Sequence, residues 1–227
     1  MSCGAILRLR KIDCSCAHLI SGLVPASLPF IEPCVPKEVR QPPKGEDWIH
    51  QPKLDGWRCQ AVKVGPKVTL YSRQGHDLTQ RLPTITAAIA KLPAKSVTLD
   101  GEIVQSGERG IDFYAMPGKQ TRNVTLMAFD ILSLGGKDLR GLPLEERLAQ
   151  LEMLLLSAGK LAAIGLVPSF DDGQTLMNAC MEHSLEGVVS KRRASTYTAG
   201  RGRHWLKSKT PTWRQANKDR WERMSSR

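Results

Sequence analysis

A lysine becomes a nucleophile only after losing a proton, so it needs either removal from water or positive charge close by. Lys53 invites that reading. It ends a strand-like stretch and opens the run Lys53-Leu54-Asp55-Gly56-Trp57-Arg58, a cation followed by a carboxylate and a glycine turn. So short a run is weak by itself, and a lysine in that setting is usually a surface cation. The rest of the chain supplies partners. Lys207 and Lys209 are two apart on a strand-like segment, so both point to one face. Aimed at a phosphate, they would neutralise charge developing in a transition state and, by like-charge repulsion, help Lys53 shed its proton. Arg58 and Arg73 offer planar forks for phosphate or ribose oxygens. Glu102 and Glu186 are the carboxylates for a divalent metal, magnesium or manganese, which needs few of them once phosphate oxygens and waters complete its shell.

These residues lie in a fixed order. After the lysine run come Ser72-Arg73-Gln74-Gly75, Leu99-Asp100-Gly101-Glu102 and Ala128-Phe129-Asp130-Ile131-Leu132. Glu186-Gly187-Val188-Val189-Ser190-Lys191 and Trp205-Leu206-Lys207-Ser208-Lys209 follow. The series resembles the nucleotidyltransferase motifs of ATP-dependent DNA ligases. Stretches between them (Phe30-Ile31-Glu32-Pro33, residues 45–48, 138–144 and 195–203) look like the bacterial branch associated with end-joining repair. The resemblance spans about 28–210, and six motifs in one order make it specific.

The resemblance implies an α+β ligase/capping-enzyme nucleotidyltransferase fold, ATP-grasp-like, with antiparallel sheets flanked by helices and the nucleotide between them. It implies that Lys53 attacks the α-phosphorus of ATP, expels pyrophosphate and carries AMP on Nζ. Gln51, Arg58, Arg73, Glu102, Phe129, Lys207 and Lys209 would contact the nucleotide. Phe129 would stack on adenine, although a phenylalanine inside 126–132 is by its surroundings more often core. Glu102 would hold either the metal or the ribose, and Glu186 the metal. Lys191, Arg192, Arg201 and Arg203 would meet phosphates or the backbone of nicked or broken duplex DNA.

Two departures from the family pattern stand out. The family usually has a glutamate two residues before the lysine, where it helps to read the adenine amino group. Gln51 occupies that position, and its amide oxygen accepts a hydrogen bond without charge assistance, so weaker ATP specificity or affinity is expected. The family also normally continues into an oligonucleotide-binding barrel, whereas Thr210 is followed here by 17 residues, too few for five strands. The expected organisation is an N-terminal extension at 1–27, an adenylation domain at 28–210 and a basic tail at 211–227, without a barrel. Three readings stay open: a minimal catalytic domain, a truncated gene product, or half of a two-chain enzyme whose partner protein supplies the barrel or clamps DNA. The competing functional class is a non-catalytic adenylation module that binds DNA ends or a partner through its basic C-terminal third.

Secondary elements that would carry these residues can be read from pattern. Strands are expected at 48–53, 97–104, 124–132, 161–170, 187–191 and 204–209, with a hairpin of 57–64 and 67–73 around Gly65-Pro66. Pro83 begins a short apolar-periodic helix. Further helices are expected at 143–157, where Leu144, Leu148, Leu151 and Leu155 form an amphipathic stripe, and at 173–183. Residues 36–45, punctuated by Pro36, Pro42, Pro43 and Gly45, read as irregular, and 211–227 as a single helix or loose tail.

Bulk properties agree with a DNA-facing enzyme and exclude other classes. Hydrophobic content is 41% and charged content 24%, ordinary for a globular chain of 227 residues. No apolar run approaches the roughly 18 to 20 residues that span a bilayer. Basic residues before an apolar patch at 17–24 have the outline of a secretory signal, but His18 interrupts the patch and no cleavage site follows. Six scattered cysteines lack a disulfide framework, and Cys14-Ser15-Cys16 with His18 lacks a second metal-ligand pair, so a reduced cytoplasmic setting is expected. The five histidines form no cluster. Net charge is +11, of which the 42 residues from Glu186 onward carry +9, with 12 lysines and arginines against three acids. Concentration of that kind suits a phosphate-rich partner.

Overall fold

The computed structural model describes residues 29–107, 110–112, 123–161 and 163–215. The expected extension at 1–27, the Cys14–Cys16 fragment and most of the expected tail lie outside the described residues. Two sheets form the frame. The smaller one has the order β1 (Cys34–Glu38), β11 (Gly200–Lys209), β10 (Gly187–Arg192), β2 (Trp48–Lys53). The larger runs β4 (Lys67–Ser72), β3 (Trp57–Val64), β5 (Ser96–Gly107), β7 (Val124–Leu134), β8 (Lys137–Asp138). Short β6 (Gly110–Asp112) is added beside β5 and β9 (Ile164–Leu166) beside β7.

The α+β class holds, and most pairings are antiparallel. Two are parallel: β1 with β11 and β7 with β9. Both involve a strand the sequence reading misjudged. β1 runs into the stretch read as irregular, because Pro36 and the following prolines and glycine suggest turns; as an edge strand it tolerates a missing N–H donor. The strand expected over 161–170 shrinks to Ile164–Leu166, because Pro168 follows one residue later. The β3–β4 hairpin turns at Gly65, whose φ of +56° suits glycine.

Helices cover the outer faces. α1 (Pro83–Ala90) and α2 (Leu144–Ser157) pack on the larger sheet through Ile85, Ile89, Leu151 and Leu154, which meet Leu99, Ile103, Leu126 and Ile131 in the main core. Of the predicted α2 stripe, Leu144 and Leu151 are buried, Leu148 and Leu155 partly so. α3 (Gly173–Glu182) is capped by Asp172, whose carboxylate accepts from the backbone N–H groups of Gln174 and Thr175. It lays Leu176, Met177 and Cys180 against Val188 of the smaller sheet. Each sheet thus keeps one face free of helix, and the two free faces oppose each other across a cleft of about 750 Å³. No helix among the described residues is long and apolar enough to cross a membrane.

Candidate active site

The smaller sheet sets its cations in rows. Cross-strand partners share a face, and β10 lies between β2 and β11. Gly187 is opposite both Lys53 and Lys209; two residues on, Val189 is opposite both Gln51 and Lys207; two further, Lys191 is opposite Trp205. With a pleat that repeats every two residues, Lys53, Gln51, Lys191, Lys207 and Lys209 all project from one face. Gly187 has a φ of +153°, and a Cβ there would come within 2.0 Å of the Ser208 carbonyl oxygen. Only glycine fits.

Glu186, one residue earlier and buried, gathers two of these ammoniums. Lys53 Nζ lies 2.5 Å from its Oε2 and Lys209 Nζ 3.5 Å from its Oε1. Lys207 pairs more loosely with Glu38, at 3.8 Å. Its ammonium is pushed below the usual lysine range, chiefly by burial, then by the charge of Lys209, with Lys53 acting in the same direction. The cationic cluster around Lys53 therefore exists, with a carboxylate at its centre that the sequence reading had given to a metal.

The larger sheet supplies the opposite wall. Glu102 of β5 is opposite Arg58 of β3, and loss of water pushes its carboxyl up to about 7, with Arg58 and Lys53 opposing. Phe129 owes its position to an irregularity in β7. Asp100 pairs with Asp130 and Gly101 with Ala128, so Phe129 is the extra residue of a bulge. A bulge re-aims a side chain; Phe129 lines the cleft while packing partly against the core.

Gln51, Lys53, Arg58, Arg73, Glu102, Phe129, Lys191 and Lys207 all line the cleft. Lys209 stands beside it, joined through Glu186. Arg73 is exposed on the rim with His76 and Asp77. Arg58 differs from expectation: both arms of its fork are taken by Asp100, at 2.6 Å each, and its plane lies 4.6 Å from the Phe129 ring centre. The guanidinium is held well above even its ordinary range by that partner against its own burial. Lys191 also differs. It is 1% exposed, lies 3.9 Å from the Trp205 ring centre and 4.4 Å from that of Phe129, and donates to the Phe129 carbonyl oxygen at 3.1 Å. A side chain so enclosed cannot meet a DNA backbone; the cleft is all it faces. Arg192 sits over Trp48 beside Asp47, and Arg192, Arg201 and Arg203 are exposed outside the cleft.

Sequence reasoning passed over three residues. Asp100 receives Arg58 and also the Tyr197 hydroxyl at 2.7 Å. Tyr197 in turn accepts from the Cys34 backbone N–H at 3.0 Å and meets Trp205 edge-on. Asp100 and Trp205 stood inside quoted motifs, but nothing local marks them as supports. Tyr197 shows its role only in three dimensions.

Among the described residues no group of three or more histidine, cysteine or acidic side chains is disposed to hold a metal. The donors on hand are Glu102 on the cleft and Glu186 beneath it, a sparse set that suits a hard divalent cation bringing phosphate oxygens and waters of its own. Cys34, Cys59 and Cys180 are free thiols and buried, and burial pushes Cys34 and Cys180 up to about 11.

A model of the ATP dependent DNA ligase domain matches residues 34–209, a span that contains both sheets and every cleft residue named above. The chain belongs to that family. The multifunctional non-homologous end joining protein LigD of Pseudomonas aeruginosa is 36% identical over 185 residues, covering 79% of this chain and 22% of its own length. A probable DNA ligase of Dictyoglomus thermophilum is 32% identical over 176 residues, covering 70% and 30%. A solved mycobacterial DNA ligase D complexed with ATP and MES superposes with a TM-score of 0.65 at 28% identity, over 79% of this chain and 60% of that one. This ligase domain therefore spans less than a third of the length of those two curated relatives.

Proposed function

We propose that the chain is an ATP-dependent DNA ligase acting through a lysyl-adenylate on Lys53, with residues 28–210 as its adenylation domain and nicked or broken duplex DNA as its partner. One observation carries the reading: Lys53 stands at the cleft in hydrogen-bond contact with buried Glu186, within the electrostatic reach of Lys207. A surface lysine has no use for that arrangement.

ATP occupies the cleft with adenine against Phe129. The Gln51 amide nitrogen is held by the Ser169 hydroxyl at 3.1 Å, with the Val167 carbonyl at 3.4 Å, which leaves its amide oxygen to accept from the base. Glu186 takes the Lys53 proton across its 2.5 Å contact. The freed nitrogen pair attacks the α-phosphorus, an N–P bond forms, and the P–O bond to pyrophosphate breaks. Lys207 and Lys209 meet the charge that builds on the α-phosphate. Glu102 would hold magnesium or manganese, which when bound screens the triphosphate charge. A 5′-phosphate oxygen of the DNA then takes AMP from Lys53, and the 3′-hydroxyl displaces AMP to seal the strand. Arg73 at the rim and exposed Arg192, Arg201 and Arg203 suit the DNA phosphates.

Incubation with α-labelled ATP followed by denaturing electrophoresis tests the first step. Label on wild type and none on Lys53→Ala is the expected result, and equal label on both defeats it. Closure of a nick carrying a preformed 5′-adenylate, measured beside ATP-driven closure, separates the final step from the first. Retention of DNA without any covalent nucleotide would mark a binding module instead.

A further inference from the structure

The short segment after β11 holds one of the site lysines from outside the cleft. Thr210 is fully buried. Its backbone N–H donates to the Glu186 carbonyl oxygen at 2.9 Å, and its hydroxyl donates to the Leu185 carbonyl oxygen at 3.0 Å. The same hydroxyl accepts from the Trp213 N–H at 3.3 Å and so starts the single helical turn over 211–215. Arg214 pins the far side of that turn to β1 through Glu38, at 3.4 Å. Held at both points, the turn places the half-buried Trp213 ring with its centre 4.1 Å from Lys209 Nζ.

Lys209 thus stands between two attractions, the ring and Glu186 Oε1 at 3.5 Å. They differ in kind. A carboxylate neutralises the ammonium; a ring face attracts it through a quadrupole and leaves its net charge intact. Glu186 also holds Lys53, so a Lys209 released from the ring would settle further onto that carboxylate, compete with Lys53 for it and retreat from any phosphate.

We propose that Trp213 is a positioning residue for Lys209, keeping its ammonium raised from Glu186 and available to the α-phosphate. The proposal rests on the adenylylation reading above. The test uses the full chain and labelled ATP, comparing Trp213→Phe, Trp213→Leu, Lys209→Met and the Lys209→Met/Trp213→Leu double variant. A partly desolvated cation–ring contact predicts about a tenfold slower self-adenylylation in the leucine variant and about threefold or less in the phenylalanine variant. In the Lys209→Met background the leucine change should cost nothing more. Lysine labelled with ¹³C at Cε gives an independent signal: the Lys209 methylene protons should lie upfield in wild type and return toward ordinary values in Trp213→Leu. A leucine variant as fast as wild type, a phenylalanine variant as slow as leucine, or additive losses in the double variant would overturn the assignment. A wild type that takes no label ends the adenylylation reading instead, and an absent upfield displacement ends this one separately.

Discussion

Lys191 offers the sharpest electrostatic test, because burial opposes the pull of neighbouring carboxylates and rings on one ammonium. Burial pushes it from an ordinary 10.5 down to about 7. The Trp205 and Phe129 faces, 3.9 and 4.4 Å away, favour the charged form, by up to about 2 kcal/mol each where water is excluded. The unfolded chain therefore binds a proton that the folded one has released between about 7 and 10.5, and stability must rise with pH across that window. Without the rings, the gain from pH 6.5 to 9.5 is about 3 kcal/mol; ring attraction trims it to about 1 kcal/mol. Lys191→Met lacks the titrating group and keeps the apolar stem. Urea unfolding of both proteins at the two pH values gives the measurement, since all other titrations cancel in the difference. Wild type should gain about 1 to 3 kcal/mol more than the variant on going to alkaline pH. Parallel stability curves would refute the reasoning, showing that water reaches the ammonium or that the rings fully offset its burial.

Three further perturbations follow from the same geometry. Asp130→Asn breaks a fully buried bidentate pair with Arg147, made at 2.8 and 2.9 Å; urea unfolding should show a loss of about 3 to 5 kcal/mol, whereas a loss below about 1 kcal/mol would mean the guanidinium finds another partner. Gly56→Ala places a Cβ 2.2 Å from the Ile103 carbonyl oxygen and 3.1 Å from Glu102 Cγ, so self-adenylylation should fall at least about tenfold through a shifted Lys53 and Glu102; an unchanged rate counts against that coupling. Gln51→Glu restores the family's usual residue but replaces an amide that donates to Ser169 Oγ and the Val167 carbonyl. Thermal unfolding should register a loss of about 1 to 3 kcal/mol, and nucleotide competition should show no tighter ATP binding; tighter binding at unchanged stability would reject this account of the departure.

The Gln51 case also shows where sequence reading stops. Its position, two before Lys53, was legible, and the expected price of an amide there was weaker adenine recognition. The amide's partners come from residues 167–169, more than a hundred positions away, and no local pattern announces them. The hairpin, the helices and the longer antiparallel strands were readable because their signals are local: Gly65 between alternating runs, Pro83 at a helix start, a leucine stripe over α2. β1 was not, and β9 only as part of an overlong strand, since a parallel pairing depends on a partner distant in sequence and leaves only a short, proline-marked run behind. The cleft residues divide the same way. Lys53, Lys207 and Glu102 were placed by motif order. That Arg58 is spent on Asp100 and Lys191 is sealed between rings required the bulge in β7, where one extra residue changes which side chain faces the cleft.

That bulge also sets two carboxylates, Asp100 and Asp130, directly opposite each other on β5 and β7, both fully buried. Like charges so placed repel unless each is compensated. Compensation comes from four separate parts of the chain: Arg58 on β3, Arg147 on α2, the Tyr197 hydroxyl before β11 and, in its protonated form, Lys191 on β10. Two of the four, Lys191 and Tyr197, come from the smaller sheet or its approach, while both carboxylates belong to the larger. Tyr197 extends the connection to β1 by accepting from the Cys34 N–H. The charge pair therefore works as a fastening between the sheets, drawn tight because any partner left out would strand a buried ion. The cleft lies just above this fastening, and its cationic rows meet Phe129 and Glu102 in one register because the carboxylates beneath allow the sheets little freedom to slide.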